Sequence, residues 1–201
     1  MYINTFRYKP EDVDCNLCTE YKSKAGCTAC GCPWLAERIE AGVVSYNDAV
    51  TETFAGYPAL RWRLNLLLRL YPGTLWLDEA HHQRMDWLKL RLGYRRHRDT
   101  PTYYAAMYLL TSNEDIYNRA ANCFWKQGFD HGYTKIRGIS PHDYTLLMAA
   151  RGIHENADGL TVADLADVEI VDPEAFQLIV NATLIARYGP AALDLKQGTN
   201  T

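Results

Sequence analysis

The sequence predicts a mostly α-helical protein: a multi-helix domain with a cysteine-rich N-terminal loop and at most a small two- or three-stranded sheet. Three observations carry that expectation. A capping residue followed at once by proline recurs at Thr100-Pro101, Ser140-Pro141 and Asp172-Pro173; the side-chain oxygen accepts from an orphan amide and the proline ring presets φ. Strand-like stretches are few, confined to Tyr2 to Tyr8 and Tyr133 to Ile139, and neither has a partner with convincing alternation. Five of the six cysteines crowd into one short segment, Cys15, Cys18, Cys27, Cys30 and Cys32.

The helices follow in order. Pro33 opens one that runs to Glu40 and stops at Gly42, and Ser45 with Asp48 opens a second through Phe54. Pro58 begins a third that reaches Tyr71 and ends at Pro72-Gly73; a fourth covers Leu75 to Leu92 or slightly beyond. After the helix at Pro101, Ser112 or Asn113 begins another to about Trp125. Pro141 starts the next, and the last runs from Pro173 to Gly189-Pro190, with Phe176, Ile179, Val180, Thr183 and Leu184 at helical intervals. A boundary near 97–100 would divide the chain into residues 1–98, a cysteine loop with basic helices, and residues 99–201, a helical module. One continuous domain is the open alternative, because the Asp99-Thr100-Pro101 junction is short.

Size and composition exclude little: 201 residues, 48% hydrophobic and 22% charged, are ordinary globular values that suit one large domain or two small ones. The first seven residues lack the apolar run of a secretory leader, and no stretch approaches a membrane span; Leu64 to Leu70 is apolar but short. A cytoplasmic chain with no membrane partner is the expectation. In a reducing compartment, clustered cysteines are metal ligands more often than disulfides. Two Cys-x2-Cys pairs joined by a polar loop can close four thiolates on one tetrahedral ion, which predicts a single structural Zn2+. Cys15 and Cys18 are ligands, with two of Cys27, Cys30 and Cys32; which one is left over stays open. An iron–sulfur cluster is disfavoured by Asp14, Glu20, Lys22 and Lys24 around the ligands. Cys123 reads as a small buried hydrophobe.

The net charge of −3 conceals a polarised molecule. Residues 61–98 carry nine basic side chains against three acidic ones, and residues 155–201 carry eight acidic against two basic. Arg84, Arg91, Arg95 and Arg98 share a face if the fourth helix extends that far, with Lys89 and Arg96 beside it and Tyr94 and His97 interleaved. Such a face suits phosphates, because guanidinium pairs bidentately and neutralised phosphates release counterions. Internal pairing with the acidic C-terminal region is the alternative. Fourteen tyrosines and five tryptophans, among them Tyr103, Tyr104, Tyr108, Tyr117, Trp125 and Tyr133, add material for a binding interface.

Catalytic signatures do not emerge. The sequence has no Gly-x-Ser-x-Gly, no His-Glu-x-x-His, no phosphate loop and no His-x-Glu of a nucleobase deaminase. His81, His82 and His131 are the positions a second, catalytic metal would call on.

Four stretches, Cys27 to Gly42, Leu110 to Asp115, Arg137 to Pro141 and Leu184 to Gly189, resemble small zinc-binding accessory proteins of phages and conjugative elements. Proteins of that kind commonly act on host defence, and some are anti-CRISPR proteins that bind an RNA-guided nuclease and block its grip on DNA. The resemblance implies a non-catalytic partner of a CRISPR effector nuclease or similar host nucleoprotein, contacting it through the basic, aromatic-rich surface. A zinc-containing DNA- or RNA-binding regulator is the alternative, and a metal-dependent enzyme is the second.

Overall fold

Side-chain caps set most of the helix starts. Ser45 and Thr161 form capping boxes with Asp48 and Asp164, while Asp78, Thr100, Asn113, Ser140 and Asp172 each accept an amide from the first turn. The computed structural model describes residues 6–29, 32–156 and 159–196. Among these, two strands pair antiparallel, β1 (Tyr21–Lys22) with β2 (Gly26–Cys27), and nine α-helices follow. They are α1 (Leu35–Glu40), α2 (Tyr46–Phe54), α3 (Arg61–Leu70), α4 (Glu79–Leu92), α5 (Pro101–Leu110), α6 (Glu114–Ala120), α7 (Pro141–Glu155), α8 (Val162–Ala166) and α9 (Pro173–Tyr188). The chain is mostly helical with a small two-stranded sheet.

α5 is the centre. Seven of its ten residues, from Tyr103 to Leu110 except Tyr104, are buried, and it packs against both α7 and α9. The buried cluster also draws on α1 to α4, so residues on both sides of position 98 share one core. The chain's C-terminal stretch closes it: Tyr46 N–H donates to Lys196 O at 2.9 Å, and the Tyr71 hydroxyl donates to Leu195 O at 2.8 Å.

Polar groups inside this core are paired across elements. The Tyr46 hydroxyl donates to Asn181 Oδ1 at 2.7 Å, and Asn181 Nδ2 donates to Leu75 O at 3.2 Å and to the Tyr108 hydroxyl oxygen at 3.1 Å. Tyr108 in turn donates to Leu75 O. His81 Nδ1 accepts from Leu77 N–H at 3.3 Å, which leaves Nε2 to donate to Tyr108 O at 2.9 Å.

Several elements differ from the sequence expectation. α1 begins at Leu35 rather than at Pro33, and Pro58 opens a 3-10 turn, Pro58–Leu60, ahead of α3. α4 begins at Glu79 because the Asp78 carboxylate takes His81 N–H at 2.6 Å, leaving Leu75 as a buried anchor in the preceding loop. α6 stops at Ala120; the chain then doubles back to set Phe124 against Phe129 at 4.9 Å. The expected extended piece from Tyr133 to Ile139 is not a strand. Arg119 of α6 occupies its carbonyls instead, donating to Lys135 O, Arg137 O and Gly138 O. Tyr2 to Thr5 lie outside the described residues, and Phe6 to Tyr8 form no strand. α8 was not anticipated, although Thr161 and Asp164 spell its capping box.

Burial pushes the His81 imidazole down from 6.5 to about 4. Below pH 6.5 the unfolded chain takes a proton that the folded site refuses, so stability is full above that value and declines towards pH 4. The expected loss is about 3 kcal/mol across that window, with half-buried His154 acting in the same direction. Thermal melts from pH 7 to pH 4 read it, and His81→Gln flattens the slope. Asn181→Ala leaves the Tyr46 hydroxyl and Leu75 carbonyl short of partners and costs about 3 kcal/mol in denaturant titration.

Candidate metal centre and interaction surface

Short local bonds fold the cysteine loop. Asp14 Oδ1 caps the 3-10 turn Cys15–Leu17 by accepting Asn16 N–H at 2.8 Å, and Cys18 N–H returns to Cys15 O at 3.0 Å. The β1–β2 hairpin then sets Tyr21 opposite Cys27. Cys32 lies at the entry to α1, where its carbonyl accepts Leu35 N–H at 3.3 Å. Arg38, one turn into that helix, donates Nη1–H to Cys32 Sγ at 3.9 Å.

Cys15, Cys18, Cys27 and Cys32 line one cavity of about 320 Å³, together with Arg38 and Glu52. All four are free thiols. Cys30 lies outside the described residues. Among the described residues, no three histidine, cysteine, aspartate or glutamate side chains are grouped as a metal-holding set. The thiols therefore share a cavity without converging on one point. As a donor set they suit a closed thiolate site, since zinc in structural sites takes sulfur and nitrogen ligands. Cys123 stands apart, fully buried with its sulfur 3.0 Å from Thr134 Oγ1, and burial pushes its thiol up.

The six basic residues singled out by sequence do not form one stripe. Gly93, at φ +62°, ends α4, so Arg95 and Arg98 do not continue the face that Arg84 and Arg91 begin. Arg84 donates Nε–H to Thr111 O at 2.7 Å and Nη2–H to Ser112 O at 2.5 Å, terminating α5. Arg98 is buried, ion-paired with Asp99 at 2.5 Å and bonded to Gly93 O at 2.6 Å. Lys89 pairs with Asp86 at 2.9 Å. Arg91 lies over the Trp87 ring at 5.2 Å and reaches Ala121 O at 3.2 Å. Arg95 and Arg96 are exposed, and neither guanidinium has a hydrogen bond or ion pair among the described residues. Among the described residues, none of the six pairs with the acidic residues of 155–201.

The aromatic side chains divide in the same way. Tyr103 and Tyr108 are core, Tyr104 and Tyr117 half-buried, and Trp125 and Tyr133 exposed in edge contact at 5.1 Å. Sequence reasoning passed over Trp87 and Leu90 of α4, which lie beside Arg91 and are 54% and 82% exposed; Tyr94, just past Gly93, is 74% exposed. Their spacing resembles a core stripe, and the signal against it was the second apolar row, Met85, Leu88 and Leu92, that α4 does bury. The histidines do not assemble. His81 has both nitrogens bonded, His82 stacks on Trp76 at 4.5 Å and pairs with Asp86, and His131 bonds Glu155 at 2.6 Å.

Comparison with protein-family models, with curated proteins and with solved structures gives no match. No helix among the described residues is long and apolar enough to cross a membrane.

The division of the arginines is measurable. Arg98→Ala, which strands Asp99 in the interior, costs about 3 kcal/mol, and Arg84→Ala about 2 kcal/mol. Arg95→Ala and Arg96→Ala stay within about 0.5 kcal/mol of the parent in the same denaturation series.

Proposed function

We propose that this chain is a non-catalytic binding protein that engages a host nucleoprotein, in the concrete case a CRISPR effector nuclease, through the surface around the end of α4. One observation carries the reading: α4 exposes Trp87 and Leu90, Tyr94 stands exposed just past its end, and the next two residues of the chain, Arg95 and Arg96, carry uncommitted guanidinium groups. Tryptophan, tyrosine and arginine supply the anchoring contacts of interfaces, and unpaired cations meet phosphates or carboxylates at no cost in internal bonds. The resemblance to accessory proteins of phages and conjugative elements points to host defence as the setting.

The N-terminal cysteines hold one structural zinc in this reading. Cys15, Cys18, Cys27 and Cys32 already border one cavity, and Cys30 is the remaining thiol of the cluster. The ion stiffens a loop whose remaining support is a two-residue hairpin and a few turn bonds. Arg38 acts from outside the ligand set by holding Cys32 with an N–H···S contact.

Two measurements test the proposal. Elemental analysis of purified protein should give one zinc per chain, and Cys15→Ser or Cys18→Ser should lose it together with several kcal/mol of stability; loss of zinc with unchanged melting overturns the structural role. For the surface, the purified chain should bind an effector nuclease and suppress DNA cleavage, and Trp87→Ala or the double Arg95→Glu, Arg96→Glu variant should lower affinity by about tenfold or more with melting unchanged. A shift of bare duplex that collapses as salt rises assigns the same surface to a DNA-binding regulator instead.

A further inference from the structure

We infer that the outward face of α3 is a self-association surface, and that its occupant is a second copy of this chain. α3 buries Leu64 and Leu67 but leaves Trp62, Leu66 and Leu70 exposed at 67%, 43% and 70%. These three repeat every fourth residue, so they form one row along two helical turns. The row borders a groove of about 280 Å³ whose opposite wall is Val168, Pro173 and Phe176. Ile170, nearly half exposed, extends the apolar area beyond that wall.

Charge decides what fits. The next row of α3, on the side away from the groove, is Arg61, Asn65 and Arg69, all exposed. On the groove's far side the turn between α8 and α9 exposes Asp167 and Glu169. Neither arginine makes an ion pair among the described residues, and neither does either carboxylate; Asp167 Oδ1 accepts only the Glu169 amide, at 2.8 Å. The groove's lining also holds Glu174 and Gln177, so the face carries an apolar row along its middle, a basic edge on one side and an acidic one, with Glu174, on the other. A twofold axis lying along the apolar row exchanges the two edges. Each arginine row then meets the partner's carboxylates, while Trp62, Leu66 and Leu70 meet their own copies. An isologous contact of this kind closes at two subunits. The acidic edge opposes nucleic acid and anionic lipid alike.

Sedimentation velocity of the zinc-loaded full chain tests this from about 1 to about 100 µM, the range of a modest interface. The expected result is a monomer–dimer equilibrium. Leu66→Glu should weaken the dimer by about tenfold or more, with Trp62→Ala as a second probe of the row. Arg69→Glu should weaken it about fivefold, and adding Glu169→Arg in the same chain should recover most of that loss. Each variant is accepted only if its melting matches the parent, which these exposed positions allow. A parent that stays monomeric throughout the range overturns the proposal. So does a Leu66→Glu variant that dimerises as tightly as the parent, or a double variant no tighter than Arg69→Glu. Binding of lipid vesicles or duplex DNA that Leu66→Glu abolishes, with the parent monomeric, assigns the face to another occupant.

Discussion

One buried amide ties the molecule together. Asn181 sits in the middle of α9 with no solvent exposure, and its two ends reach Tyr46 of α2, the carbonyl of Leu75 ahead of α4, and Tyr108 of α5. Four segments that are far apart in sequence thus share one hydrogen-bonded node. An apolar residue of similar volume would pack there but would strand the Tyr46 hydroxyl and leave the Leu75 carbonyl with the Tyr108 hydroxyl alone, which is what makes such a node specify an arrangement. Tyr46 and Tyr71, stacked with centroids 3.7 Å apart, extend the constraint to the C-terminal stretch.

The arginines do much of the remaining fastening, and they do it through backbone carbonyls. Arg63 donates to Leu165 O at 2.7 Å and Val171 O at 2.6 Å while lying over the Phe176 ring at 4.1 Å, so it fixes the turn between α8 and α9 against α3. Arg84 does the same for the end of α5 and Arg119 for the irregular segment after Tyr133. A guanidinium presents five donors in a rigid plane, which suits the clustered, divergent carbonyls of turns better than an ammonium does. A count of positive residues therefore overstates the positive surface. Among the described residues, Arg95 and Arg96 past the end of α4 and Arg61 and Arg69 on α3 are left uncommitted, as are Arg7 and Arg137, and the proposed contacts rest on the first four.

Scarce burial explains why the cysteine loop differs in kind from the rest. Its exposed turns and two-residue strands bury Val13 and little else, so it has no core of its own to hold it. The structural zinc proposed above would supply the crosslink that such a segment lacks. Arg38 links this loop to α1, which is itself packed against the 3-10 turn Pro190–Asp194.

The sequence alone determined the helical class and most helix starts, because a cap and a proline act on amides two or three residues away and need nothing distant. Ser45, Thr100, Ser140 and Asp172 were legible for that reason. The zinc site expected from the spacing of Cys15, Cys18, Cys27, Cys30 and Cys32 is a different case: Cys15, Cys18, Cys27 and Cys32 border one cavity without forming a metal-holding group among the described residues. The end of α4 was less legible: Gly93 was visible, but a basic run invited extension through it. Tertiary structure alone decided which arginines are free, since Arg84 and Arg95 are chemically identical and differ only in whether carbonyls from another element stand within reach. It also decided which apolar row of α3 and α4 faces inward. A helix with two apolar rows offers both to the core, and the partners that cover one of them come from segments a hundred residues away.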